Sequence, residues 1–510
     1  MAEGSLEGSV IARPGSPPDP TATLEPRAEE REESTLRGAV RLFFASGAGK
    51  AGAGLFLLLL GICAYVLLTF PSDFGRDRWS NPAVWADNPK AAPPAWTAWF
   101  RDDVVEQQAF TLGEPAEVRS IPAGEVRLYR APISFEANAF PTSFTATLTG
   151  ITFHGRPPVV ALTLLRPDGG QVPLASVVAP GPRPGETPPY RRFYDTPERV
   201  VLTSQPAAVQ GLGQAYAQLY PGVPVPADLA GRLQEGLFGR PAADGSGRLE
   251  PLPGEYALQV QVAVADPTDE IAPIRTVLGG TVFGWAGTDT IGRDLREGLL
   301  YGFPIALLIA VLAAVLVTAI GAGLGILSGY AGGTTDAVIQ RLSDIVSNVP
   351  VLPLLIFLVF ILGANLWLII LALVAFSWPG LTILIRSMVL QIRSGQLVEA
   401  ARALGASRVR IMRRHVFPQV APFIVAQMIF SAPNAILAEA GLSFLGLGDQ
   451  TKPTWGQMLQ AGFQTGAIYL GYWWWVIPPG LLIIVTALAF MLLALAMEPI
   501  VDPRLRKPGS

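Results

Sequence analysis

The densest ionic chemistry in this chain lies between Glu399 and Pro422, in the run EAARALGASRVRIMRRHVFPQVAP. Arg402, Arg408, Arg410, Arg413 and Arg414 face a single acid, Glu399, while Ala400, Ala401, Leu404, Val409, Ile411, Met412 and Val416 recur at roughly helical spacing. Such a segment is built to dock on a partner rather than to make or break bonds. Gly405 can take the left-handed conformation that ends one helix, and Ser407 can cap the next, which predicts two short helices at an angle. Pro418 stands where a further helix begins and needs no N–H.

Bond-making chemistry finds little support elsewhere. The chain has two histidines, His154 and His415, on opposite sides of the membrane in the topology derived below, so no Ser-His-Asp arrangement is expected. His154 has no second histidine or cysteine nearby for zinc, and no metal site is expected. The one cysteine, Cys63, lies in an apolar run and reads as a core residue. GAGK at Gly47 to Lys50 resembles a phosphate loop only superficially, because the first glycine is misplaced and Ala51 stands where Ser or Thr is needed. No catalytic residue is assigned.

The elements that must hold the basic segment are membrane helices. Half of the residues are hydrophobic and 15% are charged, with a mean hydropathy of +0.39, against roughly a quarter charged in soluble domains. A net charge of −3 gives no reason to expect nucleic acid as a partner. Six runs are long or apolar enough to cross about 30 Å of hydrocarbon, which takes about 20 helical residues. They are Ala51 to Phe70, Phe303 to Leu327, Val349 to Leu362, Leu366 to Ile385, Pro418 to Ala438 and Val476 to Met497. The third is short and contains Pro350 and Pro353. The loop between the fourth and fifth runs is rich in arginine, whereas Glu439 to Trp475 has Lys452 as its one basic residue, so the arginine-rich loop is expected to be cytoplasmic. Arg37, Arg41 and Lys50 before the first run, and Arg504, Arg506 and Lys507 after the last, put both termini on that side. With no cleavage site evident after Phe70, the first run reads as a retained anchor.

Residues 1–36 are proline- and charge-rich and are expected to be a disordered cytoplasmic tail; 37–70 form a basic flank and the first span. Residues 71–282 form an extracytoplasmic insertion. Its first part interleaves Pro82, Pro89, Pro93 and Pro94 with Trp79, Trp85, Trp96 and Trp99, predicting an extended segment near the membrane surface, its tryptophans at the interface or in the core. Beyond it, Phe144 to Phe153, Val159 to Leu165 and Tyr256 to Val264 read as strands, the last with clean alternation. Pro167 to Gly170 is a turn and Asp228 to Leu237 a short helix. A β-rich sandwich over Phe100 to Val282 is the expectation.

In the spans, Gly321, Gly323, Gly325 and Gly329 permit close helix packing. Pro433 and Asn434 are expected to interrupt the fifth span, with Glu439 near its outer end, either lining a path or capping the outer loop in water. These three are the candidate translocation-path residues.

The chain resembles the permeases of ABC importers. Glu399-Ala400-Ala401, Gly405, Ile411 and Phe417-Pro418 match that family's EAA loop, and GTDTIGRDLREGLLYG (Gly287 to Gly302), GYAGGTTDAVIQRLSDIVSNVP (Gly329 to Pro350), EAGLSFLGLG (Glu439 to Gly448), PTWGQML (Pro453 to Leu459) and DPRLR (Asp502 to Arg506) resemble the second permease subunit of the dipeptide/oligopeptide/nickel branch. The resemblance covers about residues 284 to 506 plus the first span. It implies an α-helical polytopic membrane protein with six transmembrane helices in the ABC importer permease fold, here carrying a β-rich extracytoplasmic domain where the family has a short outer loop. The permease core would run over 283–506, followed by a tail at 507–510.

What the resemblance implies functionally is a transport subunit of the inner or plasma membrane that forms its path with a homologous second permease. Two cytoplasmic ABC ATPases would bind ATP and Mg, with no cofactor on this chain, and an extracytoplasmic substrate-binding protein would deliver cargo. Glu399, Ala400, Ala401, Arg402, Gly405, Ile411, Arg413, Phe417 and Pro418 would couple the permease to the ATPases. Peptides are the expected cargo, with nickel chelates and oligosaccharides as the other options. Asp289, Arg293 and Asp294 read as an ordered start to an interfacial helix. A different reading makes the β-rich domain the functional part and the spans its membrane anchor.

Overall fold

The structure, a computed structural model, describes residues 36–223, 228–242 and 246–501. The expected tail, apart from Leu36, lies outside the described residues, as do the DPRLR motif and the end segment. Helix α1 (Leu36–Ala45) leads into the first spanning helix, α2 (Gly47–Thr69). GAGK is simply the first turn of α2: the Ser46 hydroxyl caps it by accepting from the Gly49 N–H at 2.9 Å.

The insertion is a sandwich. One sheet has the order β2-β3-β12-β6-β7, from β2 (Glu117–Ile121), β3 (Gly124–Phe135), β6 (Val159–Leu165), β7 (Gln171–Val178) and β12 (Gly254–Val264). The other has the order β1-β14-β4-β9, from β1 (Gln108–Leu112), β4 (Ser143–Leu148), β9 (Glu198–Val201) and β14 (Ile274–Gly279). Small sheets from β5 (Ile151–Phe153), β8 (Tyr190–Arg192) and β13 (Glu270–Ile271), and from β10 (Gly239–Pro241) and β11 (Leu249–Pro251), trim the edges. A shared core joins both large sheets, with Ile133, Leu162 and Leu258 from one against Phe144, Leu148 and Leu278 from the other. The alternation expected in β12 holds, with Tyr256, Leu258, Val260, Val262 and Val264 buried. The expected strand Phe144 to Phe153 breaks at Thr149-Gly150 into β4 and β5, which belong to different sheets.

Helix α3 (Pro206–Leu219) and the short α4 (Leu233–Leu237) close the sandwich. Arg166 holds α4, its buried guanidinium donating to the carbonyls of Gly236, Leu237 and Gly239 at 2.8, 2.6 and 2.7 Å and to Asp168 at 2.8 Å, and it lies over the Tyr216 ring of α3 at 5.5 Å. Burial would push the Asp168 carboxyl upward, but the hydrogen bond and charge of Arg166 outweigh it and hold the group below the usual range.

The Pro/Trp segment is not extended, as expected, but folds into helical turns at Gly75–Trp79, Pro82–Trp85 and Ala95–Phe100. Trp79 and Trp85 need apolar cover, and they find it on the outer part of helix α5 (Leu295–Ala331), where Gly298 lies under the Trp79 ring. The GTDTIGRD motif clamps this segment in place. Thr288 Oγ1 accepts from the Ala92 N–H at 2.9 Å and donates to the Pro89 carbonyl at 2.7 Å. Asp289 receives Arg293 Nε at 2.5 Å, and Asp294 caps α5 by accepting from the Arg296 N–H at 2.9 Å.

The remaining helices are α6 (Gly333–Ser347), α7 (Val351–Leu362), α8 (Leu366–Arg393), α9 (Gln396–Ala403), α10 (Arg408–Ile411), α11 (Phe417–Phe444), α12 (Trp455–Gln464) and α13 (Trp473–Val501). Among the described residues five helical stretches are each long and apolar enough to cross a membrane, or six if the pair α6 and α7, bent by 74°, counts as one. The third expected span, Val349 to Leu362, holds only the 12-residue α7, which is too short to cross alone and reaches span length only with α6; α6 stops at Ser347 and Pro350, lacking an N–H, starts α7 in a new direction. The fifth span corrects a second expectation. Pro433 and Asn434 do not interrupt it; both lie inside a continuous α11, and proline is tolerated within membrane helices.

Candidate functional site

The glycines of α5 set the frame. A Cβ on Gly321, Gly325 or Gly329 would lie 3.0, 2.7 or 2.8 Å from the Cβ of Leu381, Ile385 or Val389 on α8, so the two helices meet at backbone distance. Thr382 Oγ1 reinforces this by donating to the Gly321 carbonyl at 3.0 Å. At the inner end, Arg393 reaches the carbonyls of Gly329 and Tyr330 at 3.4 Å, where the C-terminus of α5 concentrates negative potential.

The basic segment grows directly from this frame. Helix α9 ends in a Schellman turn: Gly405, at φ +77°, donates its N–H to the Arg402 carbonyl at 3.0 Å, and Ala406 donates to Ala401 at 3.1 Å. Ser407 caps α10 by accepting from the Arg410 N–H at 3.4 Å. The turn expected at Gly405 is present and Pro418 stands in the first turn of α11, as expected, but the second of the expected short helices is not a separate one. Residues Arg408–Phe444 form one continuous helical span, with a π turn at Met412–Val416 just before Pro418. The wider turn suits a residue that can offer no N–H to the preceding turn. The second arm is thus the inner end of the fifth span itself.

The segment has two faces. Ala401 and Ile411 are buried, with Val398, Val416 and Val420, against Tyr330 of α5 and Ile385 and Val389 of α8. Glu399, Ala400, Arg402, Gly405, Arg413, Phe417 and Pro418 are exposed, as are Arg408, Arg410 and Arg414. Among the described residues none of these charged groups has a salt-bridge partner. Leu404 and Val409, expected on the apolar inner face, instead point outward at the elbow, Leu404 being 89% exposed. The arrangement can engage a charged surface with an apolar centre. Sequence reasoning missed the anchor Val398, although its spacing of three from Ala401 is a helical signal.

The three path candidates separate. Asn434 lines a cleft of about 300 Å³ with Ser377, Ser431 and Val317, between α5, α8 and α11. Pro433 is buried in the helix core. Glu439 is 5% exposed and accepts from the Ser443 hydroxyl at 2.7 Å, so it does not cap an outer loop in water. It sits where α12 packs on α11, with Gly456 against Ala440, because α11 runs on past the expected span end at Ala438. Asp336 and Arg386 form an unanticipated pair beside the frame made by α5 and α8.

Known proteins resemble this chain in sequence over part of its length. The family model for the binding-protein-dependent transport system inner membrane component matches residues 321–507. The dipeptide transport system permease protein DppC of Bacillus subtilis (strain 168) is 37% identical over 224 residues, 44% of this chain and 69% of that protein. The oligopeptide transport system permease protein OppC of the same organism is 35% identical over 224 residues, 44% of this chain and 72% of that protein. OppC of Haemophilus influenzae is 37% identical over 177 residues, 34% of this chain and 57% of that protein. Among solved structures, an inward-facing MetNI methionine ABC transporter aligns with a TM-score of 0.34 at 21% identity, covering 42% of this chain and 98% of that one. The 37% identity to DppC over 69% of that protein shows that the chain belongs to the family of binding-protein-dependent transport system inner membrane components.

Proposed function

We propose that the chain is a permease subunit of an ATP-driven ABC importer, with peptides as cargo, and that Glu399 to Pro418 is its coupling handle. The observation that carries the reading is the two-faced basic elbow. Its buried residues fix it to α5 and α8, its exposed arginines have no ion-pair partner among the described residues, and its second arm continues without a break into α11. A push on such an arm is transmitted to the membrane-spanning helix as a rigid displacement rather than lost in a loop. The named relatives support peptides as the cargo class.

In this reading two cytoplasmic ATPases bind ATP and Mg, and their closure moves the handle. A homologous second permease completes the path, and an extracytoplasmic binding protein delivers cargo to the outer mouth. Glu399 and the adjacent arginines meet charged groups on the ATPase. The arginine-rich loop and both termini lie on the cytoplasmic side, with the sandwich outside.

Copurification of the tagged protein from its native membrane tests the assembly, and Gly405→Trp tests the handle. Recovery of a second permease and ATPases, with uptake lost and ATP hydrolysis retained in the variant, is the expected result. Normal uptake by an inserted Gly405→Trp protein overturns the coupling role. A stable chain that recovers no ATPase favours an anchored outer domain instead.

A further inference from the structure

The neck of the sandwich carries an aromatic ledge that no part of the transport reading uses. The chain enters the sandwich through Pro93 to Val105 and leaves it through Thr281 to Trp285, and the two crossings are laced together. Phe283 donates its N–H to the Pro93 carbonyl at 2.9 Å, Ala95 to Gly284 at 2.8 Å, and Thr281 to Val105 at 2.9 Å. On this neck Trp99, Phe100 and Trp285 are 82%, 80% and 71% exposed. An aromatic group of that size in water is a marker of an interface.

The position of the ledge says which one. Trp96 Nε1 donates to the Trp285 carbonyl at 3.0 Å, and the Trp96 ring packs on Trp473 with centroids 5.6 Å apart. Trp473 heads α13, and below it Ile477, Leu481, Ile484, Leu488 and Leu495 are all exposed. Steps of three, four and seven keep them on one helical face. From Trp473 to Leu495 that stripe is about 33 Å long at 1.5 Å per residue, the thickness of a hydrocarbon core of about 30 Å. The ledge therefore continues a lipid-length apolar stripe at its outer end. Among the described residues neither Trp99 nor Trp285 finds an acceptor for its indole N–H, which leaves that donor for headgroups or water.

The geometry points to outer-leaflet phospholipid as the partner of this ledge. Trp99, Phe100 and Trp285 sit in the headgroup layer, so that both crossings of the neck are pinned to the bilayer and the sandwich is held at a set height above it.

Nitroxide labels test this on the full chain in its complex, reconstituted in phosphatidylcholine/phosphatidylglycerol vesicles. They are attached through Trp99→Cys, Phe100→Cys and Trp285→Cys in turn, in a Cys63→Ser background. Val178→Cys, on the exposed end of β7, is the aqueous control. Labels on the ledge are expected to collide with oxygen several-fold more often, relative to a water-soluble nickel chelate, than the control label does. Labels as open to the chelate as the control overturn the proposal, as do labels shielded from both quenchers, which would mean a protein partner covers the ledge. Three separate positions keep the outcome decidable if one variant fails to insert.

Discussion

Arg386 and Asp336 meet fork to fork, Nε to Oδ1 and Nη2 to Oδ2 both at 2.5 Å, across 50 residues of sequence. The Ser328 hydroxyl donates to the same carboxylate at 2.5 Å, and Gln340 donates to Ser328 at 3.2 Å. One carboxylate thereby ties the start of α6 to both α5 and α8, just inside the frame that carries the basic elbow. Bidentate geometry makes such a pair stronger than an ordinary surface contact.

A double-mutant cycle on this pair is expected to show coupling. Asp336→Asn and Arg386→Gln should each lower the unfolding temperature of the purified complex, and the double variant should lose less than the sum. Partial exposure limits the interaction to about 1 to 2 kcal/mol. Additive losses would mean that the two groups are neighbours without a shared energetic role.

The glycine stripe of α5 predicts a sharp contrast between opposite faces of the helix. Gly325 faces Ile385, and an added Cβ would stand 2.7 Å from its Cβ and 2.8 Å from the Thr382 carbonyl, whereas nothing lies within 4 Å of a Cβ on Gly323. Gly325→Ala should force α5 and α8 apart at a cost of about 1 to 3 kcal/mol, and thermal unfolding in detergent should register it. Gly323→Ala should be neutral or slightly stabilising. Equal effects at both positions would show that the helices do not meet at backbone distance.

Much of this fold is legible in the sequence where a residue answers to its immediate neighbours. The alternation of Tyr256 to Val264 marks β12 because one face is core, and Val159 to Leu165 is β6 to the residue. Helix α3 escapes notice although Ala208, Gly211, Leu212, Ala215 and Tyr216 are buried at helical spacing, because alanine and glycine carry little hydrophobic contrast. Strand order depends on pairings such as Tyr129 with Val260, far apart in sequence, and has no local signature. The basic elbow shows the same division. Its glycine turn and cap can be read from residue types, but which apolar residues turn inward is decided by Tyr330, Ile385 and Val389 on other helices.

Arg166 should be the most sensitive position in the sandwich. Its side chain is fully buried and serves three carbonyls and Asp168 at once. Arg166→Met leaves those acceptors without their donor, at a cost of about 3 to 5 kcal/mol. Limited proteolysis of the sandwich domain in the intact complex should detect early cleavage. Arg119→Met, which breaks an exposed pair with Glu117, should leave the cleavage pattern unchanged.

Leu404 and Ile411 separate what holds the elbow from what it presents. Ile411 is packed under the elbow against the α5 and α8 frame, so Ile411→Ala should destabilise the complex by about 2 to 5 kcal/mol and lower uptake by loosening the handle itself. Leu404 touches little in this chain, being exposed at the apex of the Gly405 turn. Leu404→Ser should leave unfolding unchanged and yet, under the proposed coupling role, reduce substrate-stimulated ATP hydrolysis by removing an exposed apolar group from the apex of the elbow. Measuring both quantities on both variants distinguishes the roles. If Leu404→Ser keeps full stimulated hydrolysis and uptake, the apex is solvent-facing in the assembled transporter, and docking rests on the arginines alone.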